Sequence, residues 1–447
     1  MDLRERIASA MGRVRPELAE LVAIRSVADP RQFPPEECAR AARWVLDAFA
    51  GAGFSDARLA EMADGSHAVL GTRPGPDPAA PTVLLYAHYD VQPPLDEAAW
   101  RTPPFELTEV DGRWYGRGAA DCKGNIAMHL TALRALGDEV PVNLTLVVEG
   151  SEETTGALEG WVPGHADLLR ADAILVCDAG NAAVGHPAVT VSLRGVADVI
   201  VHVEALTAEL HSGMYGGAAP DALAALVAML ATLRDARGNT TVRGLDNAQE
   251  WAGAPYPPER FRVDAGVLDR VSLLGDGTVS DMVWSRLAVT ILGIDCPPVV
   301  GSTAAITPRA SARLNLRVPP GTQIGAAAEA LVRQLHAVAP WEVHVTAEIE
   351  APGPAFLAKT SGPAYRAIAA AMQEAYGRPM VTLGDGGSIP LCNVLADAYP
   401  DAELILMGVE EPSALIHAPN ESVDPAEIAA MALTETLFLQ RYAAARS

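Results

Sequence analysis

The sequence predicts an α/β protein built on a largely parallel sheet, with a second, α+β domain inserted into it. Three observations carry that expectation. Short apolar β-rich runs alternate with helical segments through the first 190 residues, the pattern of parallel strands covered on both faces. Near residue 191 the texture changes to strands that alternate apolar and polar side chains, as a half-exposed sheet does. From about residue 355 the first texture returns. The expected organisation is a discontinuous catalytic domain of residues 1–190 and 355–447 and an inserted lid of residues 191–354.

Taken in order, "EECARAARWVLDAFAGAGF" (36–54) reads as a helix closed by glycine. "PTVLLYAHYD" reads as a buried strand, "GNIAMHLTALRALG" as a helix, and "VNLTLVVEG" and "ADAILVCDAG" as strands with polar ends. In the insertion, "VTVSLRGVADVIVHVEA" alternates like one strand, followed by the Gly-rich turn "HSGMYGGAAPD" and an Ala-rich helix. "ASARLNLRVPP" is a further alternating strand, and a helix at about 325–338 precedes "WEVHVTAEIEAPGPAF". "GDGGSIPLCNVL", "AELILMGVEEPSALIHAPNES" and a last helix complete the chain.

Composition narrows the function. The 447 residues can bury a large core, and 49% hydrophobic with 20% charged residues is a globular balance. A formal charge of -23 repels phosphate backbones and anionic lipid, which argues against nucleic acid and membrane partners. Five cysteines without CxxC spacing do not make a disulfide scaffold, and the opening "MDLRERIASAMGRVRPELAELV" lacks the apolar core of a signal peptide. A cytoplasmic protein is expected.

The residues with chemistry sit at strand ends, where α/β proteins place ligands. They are His88 and Asp90, Asp121 in "GRGAADCKGN", Glu152 and Glu153 in "VVEGSEETTG", Asp178 in "LVCDAG" and His417 in "LIHAPNES". Singly, each suits a plainer role: a hydrogen-bonded histidine, a helix cap, a solvated loop. Together they supply the nitrogen and oxygen donors zinc accepts, and no cysteine pair competes. A pair of metals about 3.5–4 Å apart needs a bridging carboxylate, with a histidine and another carboxylate for each ion. His88, Asp121, Glu153, Asp178 and His417 meet that count. Glu152 is left over, beside a ligand and free to take a proton from water.

In these motifs the chain resembles the zinc metallopeptidases that include carboxypeptidase G, aminoacylase, acetylornithine deacetylase and the cytosolic dipeptidases. "HYDVQPP", "GRGAADCKGN", "EGSEETTG", "CDAG" and "IHAPNE" carry the resemblance, from "LVAIRSVADP" to "HAPNES". It implies a zinc-peptidase catalytic domain of the phosphorylase/hydrolase-like type with a ferredoxin-like lid that dimerises. It further implies one metal on His88, Asp121 and Asp178 and another on Asp121, Glu153 and His417. Glu152 would be the general base, and Asp90 would accept the other N–H of His88. A cis peptide bond between Asp121 and Cys122 is expected on the same ground.

"ELHSGMYGGAAPDAL" resembles the dipeptidase branch, in which this histidine, His211, reaches the partner subunit's active site and stabilises the oxyanion. Arg317 holds the position that grips a substrate's terminal carboxylate, with Gly387 and Ser388 of "GDGGSIP" donating to the same group. The chain departs from relatives at Asp221 and Ala222, where Asn-Pro is usual, which opens the way to an unusual or cationic substrate group. The expected activity is hydrolysis of an amide bond beside a free carboxylate, in a dipeptide or short peptide, by a homodimer holding two zinc ions, with cobalt or manganese as substitutes. The rivals are an N-acyl amino acid deacylase and, ranked below it, a binding protein that has kept the fold without the reaction.

Overall fold

A computed structural model describes residues 2–350 and 352–446. The chain divides into two compact units. The first comprises Met1–Val191, Ala358–Leu383 and Pro390–Ser447, and the second Ser192–Leu357 and Gly384–Ile389.

In the first unit four parallel strands form the centre of a sheet, in the order Asn143–Glu149, Thr82–His88, Ala173–Cys177 and Glu403–Met407. They read as near-continuous apolar runs because both faces are covered: every residue of Ala173–Cys177 and of Glu403–Met407 is buried. Antiparallel strands Arg58–Glu61 and His67–Arg73 extend one side, and Ala188–Leu193 joins the other. Helix Lys123–Leu136 is buried along almost its whole length, and the final helix Pro425–Arg446 packs against it. Both lie where a parallel sheet needs a second layer. No described helix is long and apolar enough to cross a membrane.

The second unit holds an antiparallel four-stranded sheet in the order Ala288–Asp295, Arg309–Val318, Gly195–Glu204, His344–Ile349. Its two central strands alternate in burial, so one face is apolar. Val199, Val201, Leu314 and Leu316 on that face join Leu226 and Met229 of helix Ala222–Ala231 and Leu331 and Leu335 of helix Ile324–Val338 in one core.

The structure differs from the sequence reading at Arg194. "VTVSLRGVADVIVHVEA" is two strands, Ala188–Leu193 and Gly195–Glu204, because the chain leaves one sheet and enters another at this point. Only glycine fits at 195, since a Cβ there would lie 2.8 Å from Ala355 N and 2.9 Å from Gly353 O.

Candidate active site

Parallel strands end on a common edge, and the first unit's chemistry collects along it. His88 is the last residue of its strand and is fully buried. Its Nε2 lies 3.0 Å from Asp121 Oδ1 and 3.1 Å from Asp178 Oδ1. The His417 Nε2 lies 2.9 Å from the other oxygen of Asp121 and 3.2 Å from Glu153 Oε2. Asp121 therefore stands between two imidazoles, one on each carboxylate oxygen. Donor atoms of His88, Asp121 and Glu153 all fall within 4.8 Å of one another. His417 reaches inward from a loop in the left-handed backbone region, at φ 62°, and its side chain is 53% exposed.

Asp90 acts through two groups. Its backbone carbonyl lies 3.0 Å from His88 Nδ1, nearer than its carboxylate at 3.4 Å. The carboxylate accepts the N–H groups of Glu152 and Glu153 at 3.1 and 3.0 Å. One buried aspartate thus orients the histidine and fixes the loop carrying both glutamates. Among the described residues nothing donates to the Glu152 carboxylate. The Asp121–Cys122 peptide bond is cis. Cys122 is buried with its thiol donating to Cys177 O, and burial holds that thiol protonated.

Like charges crowd this edge, and their acidities respond. Burial, partly offset by His88, lifts Asp178 to about 6, and Asp121 and Glu153 add to the rise. Burial also pushes Glu152 well above the usual carboxylate range, with Asp178, Asp90 and Glu153 repelling its charge. Asp121 goes the other way: although buried, it is held low by hydrogen bonds from His417 and His88. His417 in turn rises to about 11 through its bonds to Asp121 and Glu153.

Glu153 Oε1 is buried without a hydrogen-bond partner among the described residues, as is Glu410 Oε2. An orphaned Glu153 oxygen beside the His417 imidazole, and another on Glu410 near Asp121 and Asp178, are what a pair of cations would satisfy, so the residues fit a metal centre.

Four neighbours in this region escape sequence reasoning. Glu410, buried, forms a possible donor group with Asp121 and Asp178 and accepts from Asn125. Glu421 accepts Ala120 N and Asp121 N, each at 3.1 Å, and pairs with Arg117 at 2.7 Å. Arg117 also donates to Pro93 O and Ala418 O, tying the loops that follow His88 and His417 to the one bearing Asp121. Asn125 accepts from Val409 N at 2.9 Å. Glu421 and Arg117 lie inside the motifs "HAPNES" and "GRGAAD", yet nothing in their spacing marks them as partners.

The remaining candidates belong to the second unit. His211, exposed, ends the strand Leu210–His211 and accepts from Gly213 N through Nδ1. Arg317 lies on strand Arg309–Val318, half-buried, its Nε donating to Asn315 Oδ1 at 3.0 Å. In the loop that follows strand Val381–Asp385, Gly387 N donates to Asp385 Oδ1 at 2.6 Å, and Ser388 is half-buried. Asp221 caps helix Ala222–Ala231, accepting Leu223 N and Ala224 N at 2.9 and 3.2 Å, a task asparagine performs equally.

The family model for peptidase family M20/M25/M40 matches residues 84–441. A cysteinylglycine-S-conjugate dipeptidase of Corynebacterium striatum is 42% identical over 439 residues, covering 96% of this chain and 95% of its own. A Beta-Ala-His dipeptidase of Rattus norvegicus is 29% identical, covering 78% and 75%. The crystal structure of human carnosine dipeptidase 1 superposes with a TM-score of 0.81 at 25% identity, covering 98% of each chain. The span matched by the family model contains each of the strand-end acids and both imidazoles, and the chain belongs to peptidase family M20/M25/M40.

Proposed function

We propose that this chain is a di-metal dipeptidase, with His88, Asp121 and Asp178 holding one ion and Asp121, Glu153 and His417 the other. The observation that carries the reading is the shared carboxylate, with His88 Nε2 3.0 Å from one Asp121 oxygen and His417 Nε2 2.9 Å from the other. Zinc is the expected metal, since the donor set mixes imidazole with carboxylate. When bound, the ions supply Lewis acidity, polarising the scissile carbonyl and making water a nucleophile at neutral pH.

The chain's own groups do the rest. The Glu152 carboxylate takes the proton of the attacking water and delivers it to the leaving amine. Asp90 keeps Glu152 and Glu153 in register through their backbone N–H groups. Arg317 and Ser388 receive the substrate's terminal carboxylate, joined by Gly387 N–H once it leaves Asp385 Oδ1, and His211 stabilises the oxyanion in the active site of a second subunit. That arrangement requires a homodimer formed through residues 191–354, the lid, with 1–190 and 355–447 as the catalytic domain. A cytoplasmic setting accords with five cysteines, none disulfide-bonded.

The substrates named for relatives guide the choice of dipeptide. Metal-loaded protein incubated with cysteinylglycine S-conjugates, β-alanyl-histidine and N-acyl amino acids, with products identified by mass, tests the reading. Release of free glycine or histidine from the dipeptides supports it, and cleavage of the acylated amino acids alone overturns it in favour of a deacylase.

A further inference from the structure

Within the second unit lies a cleft of about 480 Å³ that the proposed reaction does not use. Its volume is in the range of about 300–1,000 Å³ that small-molecule sites occupy. Apolar side chains dominate the walls, among them Phe261, Leu274, Val279, Met282 and Leu287. Two charged residues line it, Arg194 and Arg234, and none of the lining residues is acidic. In a chain of net charge -23, a cleft with only cationic groups is a local reversal of the whole.

The two arginines differ in how they are satisfied. Arg234 donates to Gly238 O at 3.0 Å and Val289 O at 2.8 Å. Arg194 has Nε and Nη1 buried with no hydrogen-bond partner among the described residues. The nearby carboxylate of Asp385 accepts Gly387 N through Oδ1 and attracts Arg194 without a hydrogen bond to it. Burial, with Arg317 close by, lowers Arg194 to about 10, while Asp385 pulls the other way. A buried guanidinium with idle donors is costly unless an anion meets it. The segment forming one wall also leaves apolar side chains in solvent: Val271 is 50% exposed and Leu274 57%. These two side chains continue the apolar lining of the cleft out to its rim.

We propose that this cleft binds a single-chain amphipathic carboxylate, with the head group on Arg194 and the chain among Phe261, Leu274, Val279 and Met282. A phosphate-rich ligand does not suit walls so poor in donors. An uncharged lipid would leave Arg194 unmet. The cleft lies within the second unit and its lining includes none of the residues assigned to the reaction, although Arg194 neighbours Arg317.

The test is calorimetric titration of the metal-loaded protein with decanoate, acetate and decan-1-ol. Expected is saturable 1:1 binding of decanoate, at least about tenfold tighter than decan-1-ol, with no matching heat from acetate. Arg194→Gln should weaken decanoate at least about tenfold, and Val271→Trp, at a half-exposed wall position, should abolish binding by filling the cleft. If Arg194→Gln does not fold, Val271→Trp decides. Absence of saturable decanoate binding, equal binding by acetate, or decanoate affinity unchanged in Val271→Trp overturns the proposal; the last two outcomes locate the carboxylate at the metal centre or elsewhere.

Discussion

Replacing Glu421 by glutamine is the sharpest probe of how the site is held. The Glu421 side chain is fully buried, with one oxygen accepting Ala120 N and Asp121 N and the other accepting Arg117 Nη1. Glutamine keeps one oxygen. Turned one way, its NH2 faces the guanidinium, donor against donor; turned the other, it faces two backbone N–H groups. In either orientation Arg117, 1% exposed, loses its carboxylate. Removing one partner of a buried ion pair costs about 3–5 kcal/mol, which should appear in urea unfolding followed by tryptophan fluorescence. Because the loop fixed by Glu421 carries Asp121, Zn2+ affinity should fall by about 10–100-fold, as it does when groups behind metal ligands are lost. Titration of metal-stripped protein with Zn2+ measures this. Arg117→Met combined with Glu421→Gln should lose less stability than the two single losses added together. Lower stability with unchanged Zn2+ affinity would refute the claim that Glu421 positions Asp121.

Other outcomes follow from the same geometry. Glu152→Gln should retain both metals by elemental analysis yet lose turnover by about 10²–10⁴-fold; undiminished hydrolysis would remove Glu152 from proton transfer. Burial raises Glu149 from 4.5 to about 7 despite donation from Tyr86 and Leu158 N. Its folded pKa lies above its unfolded one, so its stabilisation is present below pH 4.5 and is lost as pH rises through about 7. Glu149→Gln should therefore gain on the natural protein between pH 5 and 8, by up to about 3 kcal/mol at ~1.36 kcal/mol per unit of pKa; a constant difference across that range would contradict the assigned burial cost. A Cβ at Gly150 would lie 2.0 Å from Tyr89 Oη and 2.6 Å from His67 O. Gly150→Ala should lower stability by about 1–3 kcal/mol and reduce kcat/KM, since Glu152 and Glu153 lie just beyond Ser151; unchanged melting and kinetics would show that the loop relaxes freely.

Three of the parallel strands were legible because each is an apolar run with a polar residue at or just past its end, so the ends of "LLYAH", "LTLVVE" and "AILVC" could be read directly. The alternating strands Gly195–Glu204 and Arg309–Val318 were legible for the complementary reason, one buried face. Residues 234–287 gave no such signal. They are held by aromatic contacts of Trp284 with Trp251 and Tyr256, and by bonds such as Leu287 N to Asn247 Oδ1. Side-chain bonds to backbone across 40 residues have no period to detect. The cleft built from this stretch was invisible for the same cause. At Arg194 the alternation ran on unbroken in sequence while the chain changed sheets, because periodicity reports which face a residue takes and not which sheet it joins.

What sequence omits most is the bracing behind the donors. Motif spacing identifies side chains that share one chemistry, here two imidazoles and a row of carboxylates. It does not identify side chains that share one backbone. Glu421 and Arg117 are 304 residues apart and meet as a buried pair because each holds loop peptide groups that lack partners in the sheet ladder. Asp90 shows the principle within a motif: its carboxylate serves two N–H groups, while its carbonyl serves the histidine. A cluster of like charges can persist at the sheet edge only if the loops carrying it cannot spread. The buried hydrogen bonds of Glu421, Arg117, Asp90 and Asn125 supply that restraint, so the same acids that repel one another are kept close enough to share cations.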